Sequence, residues 1–437
     1  MTNNSMKNGN SSFDLSLNLN IRGMPLSATL YINELSNKLK QQGKKIYKFG
    51  LGQSPFPVPK IIVDELRVNA FQKDYQQVKG LLALREAVAD YHSRRNDLQC
   101  NAENVLIGPG SKELMFILQF VYYGEILIPT PSWVSYAPQA RIIGRQTVWV
   151  EKKETNKWLL RPEDIQRICE EDPSRPRIMI MNYPSNPTGV TYSWDELEEI
   201  AEVAKKYRVI ILSDEIYGEL NFNGTHTSIA RFYPEGTIIS SGLSKWCGAG
   251  GWRLGTFTFP HSLIGLLNTM AIVASETFTA TSAPIQYAAV KAFKGGIEIE
   301  RYLWNARKIL KLLGNEIHNL LYSSGIECPL PDGAFYLFPN FKNYHDKLRM
   351  RKIVTSMELT TKILEETGVA ILPGSVFGRR DEEYTARLAF VDFDGARALA
   401  AAEIIPPEES LPDEFIDTYC SHLKEGVKTL VGWIKSL

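Results

Sequence analysis

From Asn104 onward, short apolar runs alternate with segments whose apolar residues recur at helical spacing. The runs Val105–Ile107, Glu125–Ile128, Arg177–Met181, Val209–Leu212 and Thr237–Ser240 show almost no polar alternation. Between them, helical periodicity covers Lys112–Val121, Val134–Ile143, Pro162–Glu170 and Trp194–Tyr207. Strands that are apolar on both faces and separated by helices predict a mostly parallel sheet with helices on both sides. Upstream, the pattern predicts a helix over Ala28–Gln42, a strand over Lys45–Phe49 and an irregular stretch, Gly50–Pro59, containing Pro55, Pro57 and Pro59. Pro59 then suits the first turn of a helix at Lys60–Phe71, and another helix opens after Gly80. Beyond Gly255 the pattern is of long helices, one near Ile297–Ser324. Strands near Gly333–Phe338 and Thr385–Phe390 follow, with a loop at Ile405–Pro412 and a closing helix from Pro412.

With 437 residues, the chain is too long for one compact core and predicts two domains. The expected layout is a disordered tail over 1–17 and an N-terminal arm with part of a small domain over 18–62. A large domain over 63–312 and a small C-terminal α+β domain over 313–437 complete it. The 49 basic residues balance 49 acidic ones, which removes the electrostatic basis for a nucleic-acid or membrane-surface role. No apolar run is long enough to span a bilayer, and the Asn/Ser-rich start lacks the apolar core of a signal peptide. Five scattered cysteines without a C-x-x-C pair are expected to be reduced thiols, as in a cytoplasmic protein. The six histidines show no ligand spacing, so no metal is expected.

Candidate chemistry gathers at strand ends. Asn182-Tyr183-Pro184-Ser185-Asn186-Pro187-Thr188-Gly189 follows one apolar run, and Ser213-Asp214-Glu215-Ile216-Tyr217 ends the next. Ser241-Gly242-Leu243-Ser244-Lys245 follows a third and continues through Gly248-Ala249-Gly250-Gly251-Trp252 to Arg253. Ligands of open α/β sheets bind beyond the carboxyl ends of strands, so these side chains are expected to converge. Each motif alone has a bland explanation as a turn, a solvated carboxylate or a surface ammonium. Gly108-Pro109-Gly110-Ser111-Lys112 follows a strand and opens a helix, where free N–H groups and the helix dipole favour an anion. It lacks the spacing of a Walker A loop, and the 248–253 run has arginine where a dinucleotide-binding loop needs its third glycine.

Taken together and in this order, the motifs resemble those of the class I/II aminotransferase family, fold-type I pyridoxal-phosphate enzymes, from about Gly50 to Arg387. The resemblance implies a large domain with a mostly parallel sheet between helices, a smaller α+β domain, and pyridoxal 5′-phosphate as cofactor. It implies Lys245 as the Schiff-base lysine and proton carrier, Asp214 as partner of the pyridinium nitrogen, and Tyr217 and Asn186 as donors to the ring's phenolate oxygen. Arg253 becomes a phosphate-binding arginine, with Ser241 and Ser244 as hydroxyl donors and Gly110, Ser111 and Lys112 as a second anchor. The family often has serine three residues before the lysine; here that residue is Gly242. Trp133 matches the ring that stacks on the cofactor, and Tyr75 a tyrosine reaching the phosphate of a neighbouring subunit, which implies a homodimer with shared sites. Arg387 and Gly52 are expected at the α-carboxylate of the substrate. The segment Asp332–Tyr336 also matches the family and reads as small-domain core.

The resulting expectation is an aminotransferase moving an amino group between an L-amino acid and a 2-oxo acid. A β-lyase acting on C–S bonds on the same fold is the alternative, and a non-catalytic sensor a weaker one. A neutral or aromatic side chain is the expected substrate preference, because Ala271–Ser282, which matches the stretch from which the family's aspartate-preferring members reach over from the partner subunit, holds no cation to meet a distal carboxylate.

Overall fold

The computed structural model describes residues 18–24, 28–406 and 409–437, so the expected tail lies outside the described residues. The strand β1 (Tyr47–Lys48) belongs to the smaller domain. The next seven form the central sheet: β2 (Val105–Gly108), β3 (Glu125–Thr130), β4 (Thr147–Glu151), β5 (Arg177–Asn182), β6 (Ile210–Asp214), β7 (Thr237–Gly242) and β8 (Gly255–Thr258). The smaller domain holds β9 (Tyr336–Leu337), β10 (Val369–Ala370), β11 (Leu372–Pro373) and β12 (Ala386–Ala389).

The central sheet runs β2-β8-β7-β6-β5-β3-β4, parallel throughout except for β8, which is antiparallel to β2 and β7. Its apolar runs are buried on both faces because alternate residues supply two separate cores. Leu106, Ile126, Ile128, Ile178, Ile180, Leu212 and Ile238 pack on one side with the Ser111–Val121 helix and Tyr136. Leu127, Met179, Met181 and Ile211 pack on the other with Ile165, Leu197 and Ile200. The helix Trp194–Lys206 begins with a capping box, in which Glu196 N–H donates to Ser193 Oγ and Ser193 N–H donates back to Glu196.

Two strands of the central sheet, β4 and β8, and the two-residue strands β10 and β11 of the smaller domain were absent from the sequence expectation. In β4 the residues are mostly half-exposed, so no continuous apolar run marks it, and β8 follows directly on the glycine-rich segment. The smaller domain contains an antiparallel sheet, β11-β12-β9, and a parallel pair of β1 with β10. The expected boundary between residues 312 and 313 falls inside a single 26-residue helix, Ile297–Tyr322. Arg307 on that helix donates from Nη2 to Glu219 Oε2 at 2.6 Å and from Nε to Glu219 O at 2.7 Å. This fixes the helix to the turn that carries Tyr217. The described residues of the Ile405–Pro412 segment are neither helix nor strand, and the closing helix is split into Phe415–Tyr419 and Ser421–Lys435.

The two domains meet at the turn after β5. Asp332 N–H and Gly333 N–H donate to Gly189 O at 2.8 and 3.0 Å. Gly189 has φ +75°, and a Cβ there would overlap the main-chain oxygen of Tyr336. Gly189→Ala is therefore expected to destabilise the protein by about 1–3 kcal/mol, from backbone strain together with overpacking. Urea unfolding of variant and wild type measures it; an unchanged midpoint would contradict the close approach.

Candidate active site

Asp214 ends β6, Asn182 ends β5, and Lys245 follows the end of β7, so the sheet brings all three to one edge. Residue parity then selects the face. Asp214 and Ser240 lie on the same side as Leu212 and Ile238, where Tyr136 Oη donates to Asp214 Oδ2 at 2.5 Å and Ser240 Oγ to Oδ1 at 3.3 Å. Asn182 braces the strand ends. Its Nδ2 donates to Asp214 O at 2.8 Å, and its Oδ1 accepts from Asn186 N–H at 2.7 Å.

Asp214 is 4% exposed, and burial raises its carboxyl pKa to about 6 despite the hydrogen bonds from Tyr136 and Ser240. Lys245 donates from Nζ to Gly52 O at 2.6 Å. Burial, reinforced by the positive charge of Arg387, lowers its ammonium to about 8, with Asp214 opposing the shift. Arg387 is 4% exposed and has no acidic partner among the described residues. It donates from Nη1 to Asn186 Oδ1 at 3.0 Å and from Nη2 to Gly50 O at 2.6 Å, while its buried Nε–H has no acceptor. Lys245, Arg387, Asn186, Gly52, Lys112 and Trp133 line one cavity of about 1680 Å³.

An anion cradle adjoins this cavity. Gly110 caps the Ser111–Val121 helix with φ +95° and no side-chain cap, so Cβ-bearing residues are strained there, and a Cβ would strike the Arg253 guanidinium. Arg253 donates from Nη1 to Gly250 O at 3.0 Å and Nη2 reaches Pro109 O at 3.4 Å, which holds it beside the helix start. Lys112 Nζ lies 5.2 Å from the centre of the Trp133 ring, and desolvation together with Arg253 lowers its pKa. Unsatisfied helix N–H groups, two cations, a desolvated lysine and a buried carboxylate form a donor set that fits pyridoxal phosphate.

Other expected residues lie elsewhere. Ser241, expected at the phosphate, lines a separate small cavity with His92, Glu215 and His226, because adjacent strand residues face opposite sides; Ser240 faces the site instead. Among the described residues Ser244 has no side-chain hydrogen-bond partner. Tyr75 is 91% exposed and touches nothing of the site within its own subunit. The Ala271–Ser282 stretch was expected to reach the site from a partner subunit; within one subunit the cavity wall carries Lys112, Arg141 and Arg145. Tyr217 Oη lies 2.7 Å from Tyr336 Oη. Sequence reasoning missed Tyr136, Asn182 and Ser240, and assigned Tyr336 to the core. For Asn182 and Ser240 the usable signal was position: a hydroxyl or amide on an apolar strand end needs a polar partner once buried.

The family model for aminotransferase class I and II matches residues 44–400. This chain belongs to that family. It is a transaminase that depends on pyridoxal phosphate. An aspartate aminotransferase of Geobacillus stearothermophilus is 34% identical over 365 residues, 81% of this chain and 90% of the relative. The asparagine–oxo-acid transaminase of Streptococcus mutans is 32% identical over 370 residues, again 81% and 90%. Among solved structures, aspartate aminotransferase from Thermus thermophilus with maleate matches with TM-score 0.80 at 25% identity, covering 95% of this chain and 99% of that one.

Asp214 generates a prediction for the cofactor-free protein. Its folded pKa lies above the unfolded value, so folding favours its protonated form. The stability that the protonated form contributes is complete below the unfolded pKa of 3.8 and is lost as pH rises toward about 6. Asp214→Asn removes that loss, which is on the order of 3 kcal/mol. The cofactor-free variant should melt a few degrees above wild type at pH 8 and close to it at pH 4, as read by calorimetry. Equal melting at pH 8 would show that Asp214 is not held against a desolvation cost.

Proposed function

We propose that this transaminase exchanges the amino group of a dicarboxylic L-amino acid, aspartate foremost, with a 2-oxo acid, in a cytoplasmic homodimer. The domain layout proposed is 18–62, 63–312 and 313–437. The observation that carries the reading is Arg387: a buried guanidinium without an acid, its Nε–H unsatisfied, on the wall of the cavity that contains Lys245. A carboxylate entering there gains charge-assisted bonds that water does not compete for. When bound, pyridoxal phosphate supplies the aldehyde that takes up the amino group and the ring that accepts the electrons of the Cα–H bond.

The chain supplies the rest. Arg387, oriented by Asn186 and Gly50 O, holds the α-carboxylate and so fixes the direction of the Cα–H bond. Lys245 Nζ, with its pKa lowered to about 8, is basic enough to take the Cα proton yet releases it near neutral pH. Asp214, oriented by Tyr136 and Ser240, offers its carboxylate to the ring nitrogen. The uncapped helix start at Gly110, Ser111 and Lys112 would hold the phosphate through main-chain N–H groups, with Arg253 beside it. Trp133 would cover the ring, and Tyr217 and Asn186 would donate to its oxygen. Tyr75, exposed in its own subunit, would reach a second subunit's phosphate, and Val68 and Phe71, exposed shortly before it in the sequence, suit that contact.

The dicarboxylic preference rests on two supports. Several relatives at or above 30% identity are named aspartate aminotransferases, and the Thermus structure was determined with the dicarboxylate maleate. In the cavity wall Lys112, Arg141 and Arg145 outnumber Glu113, and Lys112 Nζ has no carboxylate partner among the described residues.

Two experiments test this. Lys245→Ala should abolish transamination while the folded protein still holds cofactor without a covalent bond. Borohydride fixation of the cofactor to another lysine in that variant would remove Lys245 from its role. Lys112→Gln should lower kcat/KM for aspartate by about tenfold, the loss of one charge-assisted contact, while alanine changes little. A wild-type enzyme that prefers alanine, methionine and phenylalanine tenfold over both acidic amino acids would overturn the dicarboxylic reading.

A further inference from the structure

We infer that Tyr336 is a positioning residue that couples the carboxylate site at Arg387 to the hydroxyl of Tyr217, and through it to the cofactor's ring oxygen. This rests on the roles proposed for Tyr217 and Arg387. Tyr336 comes from β9 of the smaller domain and Tyr217 from the large one, yet their hydroxyl oxygens are 2.7 Å apart. Both side chains are buried, and among the described residues neither hydroxyl has another protein partner. The Tyr336 ring also lies under Arg387, whose guanidinium carbon is 4.7 Å from the ring centre, with Phe377 at 5.1 Å. The space for the Tyr336 hydroxyl is set by Gly52, where a Cβ would overlap it, and the same Gly52 carbonyl accepts Lys245 Nζ. One phenol thus touches the substrate's arginine, the ring-oxygen donor and the loop that holds the lysine.

The direction of the hydrogen bond follows from counting protons. Burial raises the pKa of both phenols, so each oxygen carries one proton at neutral pH. When the Tyr217 hydroxyl donates its hydrogen bond to the ring oxygen, its own oxygen can accept from Tyr336. A donor chain in a low-dielectric interior polarises, so Tyr336 strengthens the bond Tyr217 makes. Arg387 stands over the Tyr336 ring and draws electron density toward itself, which makes the Tyr336 hydroxyl more acidic. A carboxylate bound to Arg387 cancels that pull. The donor chain then weakens when substrate arrives, and the basicity of the lysine-bound cofactor rises.

The readout is the midpoint of the pH-dependent visible absorption of the holoenzyme, with and without succinate, a dicarboxylate that has no amino group to transfer. Tyr336→Phe should raise the midpoint by about half a unit to one unit, the value of one buried neutral hydrogen bond. It should also shrink the rise that succinate causes. Tyr217→Phe should raise the midpoint further, and the double variant should match Tyr217→Phe, because Tyr336 acts only through Tyr217. A Tyr336→Phe midpoint equal to wild type, or additive shifts in the double variant, would overturn the inference and leave Tyr217 in its role. A Tyr217→Phe midpoint equal to wild type would overturn that role and the inference with it. Unchanged near-ultraviolet circular dichroism in Tyr336→Phe separates these outcomes from misfolding.

Discussion

A guanidinium buried without an acid is the constraint on which the rest of the site depends. An unpaired charge taken from water costs several kcal/mol even after relaxation. Arg387 offsets part of that cost with Gly50 O, Asn186 Oδ1 and two aromatic faces, none of which carries a negative charge. A compensating glutamate would relieve the strain and close the site to a carboxylate. The same unneutralised charge reaches Lys245 and contributes to its lowered pKa. One unpaired cation therefore both selects the substrate's carboxylate and keeps the lysine amine reactive near neutral pH.

Asp214 shows the opposite arrangement. It is buried among hydroxyl donors and is unfavourable as a carboxylate until a cation meets it. Lys245 and Asp214 each carry a charge that burial disfavours, and they lie at one edge of a sheet whose strand centres, such as Ile126–Ile128, Ile178–Met181 and Ile210–Leu212, are apolar. The sheet supplies rigidity and a low dielectric. The polar edge supplies potential that is released only when ligands bind.

The sequence was informative wherever chemistry and strand ends coincide. The motifs ending in Asn186, Asp214 and Lys245 were legible because short apolar runs place them, and the central parallel sheet followed from the same runs. Strand β4 was not legible, since an edge strand with one half-exposed face lacks the apolar run of its neighbours. Ser240 and Ser241 were confused because a motif gives positions, while a strand gives sides, and only paired neighbours fix which side is inward. Tyr136 and Tyr336 escaped because an aromatic residue in an apolar context gives no sign of where its hydroxyl points. The substrate preference was read from one stretch alone, and a stretch without cations says nothing about cations supplied from elsewhere in the chain, such as Lys112, 159 positions before Ala271.

Much of this site is made by the main chain. Gly52 O holds Lys245, Gly50 O holds Arg387, Asn182 grips the Asp214 carbonyl, and the phosphate cradle is a helix start. A carbonyl keeps its place whatever side chain its residue bears, provided the loop keeps its path. Leu51 lies between the two loop carbonyls, lines the cavity with an exposed side chain and takes no part in them. The arrangement is therefore evolvable: mutation can reshape the mouth of the cavity, and with it the choice of amino acid, while the reacting lysine and its arginine stay anchored.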